Sequence, residues 1–169
     1  MTSAVVIRIT VILLVVGGLI YFMFGTADEA QSGSPNEINF NNPVSQWTEA
    51  DLIAKLELFD WACSDNKLTS DIGQRVCSDT DTNYAEIPVS SISAYFNAAD
   101  KFDALLIRFD SVFADGVRRY IHSQYKPVDD SPSDLWRTVD GVIVLSAPNE
   151  STGMLSWQSD DLVRRRAIQ

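Results

Sequence analysis

The first two dozen residues constrain the chain most, because they fit a lipid bilayer better than a globular core. Residues 4–24 read AVVIRITVILLVVGGLIYFMF and contain one charged side chain, Arg8. A helix rises about 1.5 Å per residue, so this stretch would span a hydrocarbon core about 30 Å thick. The sequence therefore predicts a transmembrane signal anchor over residues 1–26.

Side chains at the two ends of this segment indicate its orientation. Arg8 lies near the amino end, where its long stem can reach the headgroups. Tyr21, Phe22 and Phe24 lie at the other end, as in interfacial aromatic belts. Since positive charge favours the cytoplasmic side, we expect a cytoplasmic N-terminus and a periplasmic or extracellular domain.

A cleaved signal peptide is the alternative. Gly25 and Ala27 are small residues at the −3 and −1 positions of a cut before Asp28. The apolar run is longer than the roughly 7–15 residues usual for such peptides, which favours the anchor. Both interpretations export the rest of the chain.

The two cysteines, Cys63 and Cys77, are then expected to form a disulfide bond. An exported domain meets an oxidising compartment, and two cysteines allow one intramolecular pairing. Thirteen residues separate them, so they form no C-x-x-C redox motif, and one histidine leaves too few ligands for structural zinc.

The acidic composition argues against nucleic acid as a partner. The formal net charge is −10, and the one basic cluster is the short run Arg164, Arg165 and Arg166. Nucleic-acid affinity depends mainly on lysine and arginine neutralising phosphates. We therefore expect contact with the lipid bilayer and with an envelope protein, and no nucleic acid or cofactor.

The rest of the chain divides into a flexible spacer over residues 27–44 and one extracytoplasmic globular domain over residues 45–169. A helix is expected near the start of the domain, with Thr48 and Asp51 forming a capping box. The stretch around residues 88–98 is ambiguous between a helical turn and a short strand. A long amphipathic helix is predicted after Asp100, from apolar residues recurring every three to four positions: Phe102, Leu106, Phe109, Phe113, Val117 and Ile121.

Strands are expected near the C-terminus. Asp140 and Gly141 stand between two β-rich runs, a strong signal for a hairpin, and residues 154–158 are a candidate third strand. A short terminal helix has acids first and arginines last, as its dipole favours. The predicted fold class is thus α+β and helix-rich, with a small C-terminal antiparallel hairpin or meander.

Few residues suggest chemistry. Asp79, Asp81 and Asn83 supply oxygens at alternate positions, as calcium loops begin, but the glycine and glutamate of an EF-hand are missing. His122 has no adjacent carboxylate in the sequence to orient it, and the chain has no G-x-S-x-G nucleophile elbow. Trp157, on a possible edge strand, is the first candidate for contact with a partner.

These features favour an anchored interaction protein over an enzyme. We expect an accessory, assembly or regulatory subunit of a cell-envelope complex. A small-ligand or calcium-binding module is the alternative, and a cell-wall enzyme is the third hypothesis.

Overall fold

A computed structural model describes residues 37–66, 72–128 and 134–168. The strands in these ranges form one antiparallel sheet of eight, in the order β1-β2-β3-β4-β8-β7-β6-β5. The strands are β1 (Ala62–Asp65), β2 (Arg75–Tyr84), β3 (Ile87–Phe96), β4 (Phe102–Asp110), β5 (Lys126–Pro127), β6 (Leu135–Arg137), β7 (Gly141–Asn149) and β8 (Thr152–Ser159). The helices are α1 (Glu49–Lys55), α2 (Ala114–Gln124) and α3 (Asp160–Ala167), with short 3-10 turns over Val44–Gln46 and Ser111–Phe113.

The predicted anchor over residues 1–26 lies outside the described residues, and so do Arg8, Tyr21, Phe22 and Phe24. Within the described ranges, no helix is both long and apolar enough to cross a membrane.

The prediction of a helix-rich fold is wrong, because the first part of the expected long helix is the central strand β4. Leu105, Ile107 and Phe109 alternate on one face of that strand, and β3 and β8 pair with its two edges. Asp100 does not cap a helix but lies in the β3–β4 turn with a φ of 54°. Asp110 instead accepts a hydrogen bond from the Val112 amide and caps the 3-10 turn before α2. Non-local strand pairing therefore overrides the local spacing of three to four residues.

The apolar core lies on one side of the sheet, here called the inner face. Phe40 and Phe102 both stack on Trp157, with their ring centroids 5.3 Å and 5.0 Å from the centroid of its ring. Helix α2 buries Val117 and Ile121 against the same face, beside Ile107 and Phe109 among others. The inner face thus carries the packing on which the fold depends.

The residues before α1 belong to this core. Ile38, Phe40 and Val44 are buried, although the sequence placed them in the spacer. The amides of Ile38 and Phe40 donate hydrogen bonds of 3.2 Å to the hydroxyls of Tyr84 and Tyr125, respectively. The packed domain therefore begins at or before residue 38.

Both the capping box and the C-terminal strands lie where the sequence placed them. Thr48 and Asp51 cap α1 reciprocally, but the helix ends at Lys55. Strands β6, β7 and β8 follow one another antiparallel, although as part of the large sheet rather than a small separate one. The ambiguous stretch near residue 90 is strand β3.

The cysteine pair holds the edge of the sheet. Cys63 of β1 lies directly opposite Cys77 of β2, and their sulfurs lie at disulfide-bonding distance, 2.05 Å. In the chain-entropy model, closing a loop of this length removes about 3 kcal/mol of unfolded-state entropy. The residues of the four-residue strand β1 are half-buried or exposed, so apolar burial contributes little to holding it in place. The bond to β2 therefore matters most for this strand.

We predict that Phe40→Ala lowers the free energy of unfolding by about 3–5 kcal/mol, because it removes a buried ring that stacks on Trp157. Asn41→Ala, at an exposed neighbouring position, should change it by less than about 0.5 kcal/mol. Urea unfolding followed by tryptophan fluorescence measures both. Equal effects of the two variants would show that residues 37–44 are a spacer after all.

Candidate functional site on the outer face of the sheet

The side of the sheet opposite the core, here called the outer face, is the main candidate for a functional site. Directly paired residues of neighbouring strands share a face, so the strand register defines it. Its residues are Val76, Ser78 and Thr80 of β2; Ser91, Ser93 and Tyr95 of β3; Ala104, Leu106 and Arg108 of β4; Met154, Ser156 and Gln158 of β8; Val142, Val144 and Ser146 of β7; and Leu135 and Arg137 of β6.

This face is less covered than the inner one. Tyr95, Leu106, Val144 and Met154 are half-buried, whereas the inner residues that alternate with them are buried. The middle of the face is apolar or serine-rich, with Ser78 and Ser93 hydrogen-bonded at 3.0 Å. An apolar surface with few charges at its centre is typical of a face that another protein covers.

A groove lies on the outer face where α3 meets the sheet. It encloses about 230 Å³ and is mainly apolar. Helix α3 contributes Leu162 and Arg166 to its wall. The sheet contributes Tyr95, Ala104, Leu106, Met154, Ser156 and Gln158. Its size suits one or two side chains of a partner better than a large cofactor.

A buried polar cluster holds α3 in this position. Asp103 is only 1% exposed and sits at a bulge, where the β3–β4 register shifts by one residue. Its carboxylate accepts hydrogen bonds from Ser159 Oγ, at 2.9 Å, and from Arg165. Ser159 Oγ in turn accepts a hydrogen bond from the Leu162 amide and caps the helix. The wall of the groove is thereby attached to the central strand.

One arginine, Arg166, lines the groove, and a second, Arg108, lies beside two of its lining residues, Leu106 and Met154. Arg108 is exposed and lies directly opposite Met154 in the β4–β8 register. Arg166 donates a hydrogen bond of 3.0 Å to Gln158 Oε1, near the other end. The outer face therefore presents an apolar centre between two cationic side chains.

A different, polar cleft of about 790 Å³ lies near the β1–β2 edge that carries the disulfide. Its one arginine, Arg75, forms a two-pronged ion pair with Glu49 and approaches Asp65 at 3.5 Å. The hydrogen bond that Arg75 donates to the Glu49 carboxylate raises the pKa of Arg75. The cation of this cleft is therefore already matched by carboxylates of the domain.

One group of potential metal ligands lies in the same part of the fold. Glu49, Cys63 and Cys77 are the only three potential metal ligands brought together in the described part of the chain. The two sulfurs are bonded to each other and therefore supply no thiolate.

The structure does not gather the residues predicted to bind calcium. Asp79, Asp81 and Asn83 lie on β2, and alternate residues of a strand are about 7 Å apart. Asp79 already accepts hydrogen bonds from the amides of Asp60 and Thr80. Although Asp81 has a φ of 52°, neither it nor Asp79 belongs to a group of three carboxylate, histidine or cysteine ligands within the described residues.

The other residues suggested by the sequence also take structural positions. Trp157 is 1% exposed, donates to Thr138 Oγ1 at 3.2 Å, and therefore does not present its ring to a partner. His122 is exposed, and its Nδ1 accepts a hydrogen bond of 3.4 Å from Trp136 Nε1.

A cluster of three tyrosines around Glu37 is the most perturbed titratable site among the described residues. Burial raises the pKa of Glu37, and a hydrogen bond from the Tyr120 hydroxyl only partly offsets this. Burial also raises the pKa of Tyr125 to about 12 and that of Tyr84 well above its usual range. Two of these hydroxyls accept bonds from backbone amides, so the cluster fixes the start of the domain rather than forming a catalytic centre.

Sequence reasoning missed the outer face because it took β4 for a helix. The pattern that indicates a strand is the alternation of two sets of residues. Ala104, Leu106 and Arg108 alternate with the apolar residues Leu105, Ile107 and Phe109. That alternation has meaning only once the segment is assigned to a strand.

Comparison with known proteins gives no family. No family model, curated protein or solved structure matches the chain. The geometry of the described residues is therefore what supports a function.

We predict that Arg165→Met lowers the free energy of unfolding by about 3 kcal/mol, because it leaves the buried Asp103 carboxylate without its ionic partner. Arg164→Met is the matched control, since Arg164 is 73% exposed and its ion pair is 3.7 Å long; its cost should be below about 1 kcal/mol. Urea unfolding of both variants at neutral pH tests this, and similar costs would contradict the role given to Asp103.

We also predict that Glu37 makes the protein less stable as pH rises. A carboxyl whose pKa is raised by folding favours the folded state below its unfolded pKa, near 4.5, and loses that contribution as pH rises through its folded pKa. Glu37→Gln should therefore remove this part of the pH dependence and be more stable than the wild type at pH 8. Thermal unfolding between pH 4 and 8 measures it, and an unchanged pH slope would contradict the assignment.

Proposed function

We propose that this chain is a membrane-anchored interaction protein that docks another envelope protein through the outer face of its sheet. The observation that carries the proposal is the half-buried apolar face and its groove, opposite a fully packed inner face. Sheets commonly pack against a second layer, and α3 covers only one end of this face.

The size of the face favours a weak contact. Six neighbouring strands spaced about 4.8 Å apart, over about five residues each, give roughly 400 Å² of sheet face. A standard stable interface buries about 800 Å² per partner. Two proteins tethered in the same membrane meet at high effective concentration, which makes a weak contact sufficient. The proposed anchor over residues 1–26 would supply that tether.

The cysteine pair supports an extracytoplasmic location for the domain. Disulfides persist in the periplasm and outside the cell and are rare in the cytosol. Here the pair joins β1 to β2 at the sheet edge. The proposal therefore keeps the domain outside the cytoplasm, in an accessory, assembly or regulatory role without a catalytic one.

We predict that a photoreactive benzoyl-phenylalanine at Leu106 in the full-length chain crosslinks to one other protein in the native membrane. The same group at Leu58 should give at least fivefold less of that product, because Leu58 is 61% exposed but does not lie on the outer face. Mass spectrometry of the crosslinked species identifies the partner.

Crosslinking that is equal at the two positions, or that is absent at Leu106, would contradict the proposal. An unchanged unfolding midpoint for each labelled variant shows that the fold survives the substitution.

A further inference from the structure

We infer that the partner segment carries two carboxylates, one on each side of an apolar stretch, which pair with Arg108 and Arg166. This inference rests on the proposed function, since it specifies the chemistry of whatever covers the outer face.

Most of the described arginines already have a carboxylate partner within the domain. Five described arginines have a carboxylate oxygen within 3.7 Å: Arg75, Arg118, Arg137, Arg164 and Arg165. Among the described arginines, Arg108, Arg119 and Arg166 form no ion pair with a described carboxylate. The side chains of Arg108 and Arg166 can therefore take carboxylates from a partner without breaking an ion pair within the described part of the domain.

Two of these three arginines lie on the outer face: Arg166 lines the groove, and Arg108 is the next outward-facing residue of β4 after Leu106, which lines it. Arg108 is opposite Met154, and Arg166 contacts Gln158, which is opposite Ala104. Ala104 and Arg108 are four residues apart on β4, or roughly 13 Å along the strand. A segment lying along β4 would therefore meet Leu106 in its centre and a cation near each end.

The guanidinium groups retain capacity for a partner. Arg166 uses its Nη1 for Gln158, and a guanidinium has five N–H donors in a planar fork that suits a carboxylate. Arg108 is exposed on the strand beside the groove. Each guanidinium could donate a charge-assisted hydrogen bond to a carboxylate of the partner. This bond would replace hydrogen bonds to water that are lost when the partner covers the groove.

The same charges disfavour a second copy of this chain as the occupant. Face-to-face packing of two copies would bring arginines toward arginines. Asp110, the carboxylate nearest to Arg108 on β4, already accepts a hydrogen bond of 3.0 Å from the Val112 amide. A heterologous protein with acidic residues beside its apolar ones therefore fits the face better.

The test uses the full-length chain with the photoreactive group at Leu106, in its native membrane. Arg108→Glu combined with Arg166→Glu should reduce the crosslinked product about tenfold, since two pairs are lost and two repulsions added. Arg119→Glu is the matched control: it reverses an exposed, unpaired arginine on α2 and should change the yield less than twofold. Replacing Arg108 and Arg166 by glutamine should give an intermediate reduction, and unfolding midpoints confirm that each variant is folded.

The crosslinked peptide provides the second readout. We expect it to contain aspartate or glutamate on both sides of its apolar residues. A yield that is unaffected by charge reversal would overturn the inference and leave the proposed function standing. Crosslinks to a second copy or to lipid would overturn the inference as well. No product specific to Leu106 in the wild type would overturn the proposed function itself.

Discussion

The fold depends on β4, the strand that the rest of the described chain packs around. It pairs with β3 on one edge and β8 on the other, so it joins the two halves of the sheet. Leu105, Ile107 and Phe109 point from it into the core, while Ala104, Leu106 and Arg108 point outward. An antiparallel sheet needs only one face covered to be stable, and here α2 and the N-terminal segment cover the inner one. The outer face is what remains for function.

Two polar clusters connect this sheet to other parts of the domain, one to α3 and one to the residues before α1. Asp103, at a bulge in β4, binds Ser159 and Arg165 and fixes α3 beside the groove. At the other end of the fold, the hydroxyls of Tyr84 and Tyr125 hold the backbone that leads in from the proposed spacer.

The sequence predicted the local features well and the non-local ones poorly. The capping box of Thr48 and Asp51, the β6–β7 hairpin near Asp140 and the pairing distance of Cys63 and Cys77 all depend on neighbours in sequence or on a single possible partner. The assignment of β4 depends on β3 and β8, and no local pattern reveals that pairing. The register of β4 also determines which residues face outward. Because the sequence analysis assigned β4 to a helix, it did not identify the outer face.

The most direct test of the account is hydroxyl-radical footprinting of the full-length chain in its native membrane, compared with the same chain purified in detergent. We expect the half-buried outer residues Tyr95 and Met154 to be several-fold less reactive in the native membrane, because a partner covers them there. Phe113, exposed at the start of α2 and away from the outer face, should react equally in both states. Equal reactivity of Tyr95 and Met154 in the two preparations would contradict the claim that this face is covered.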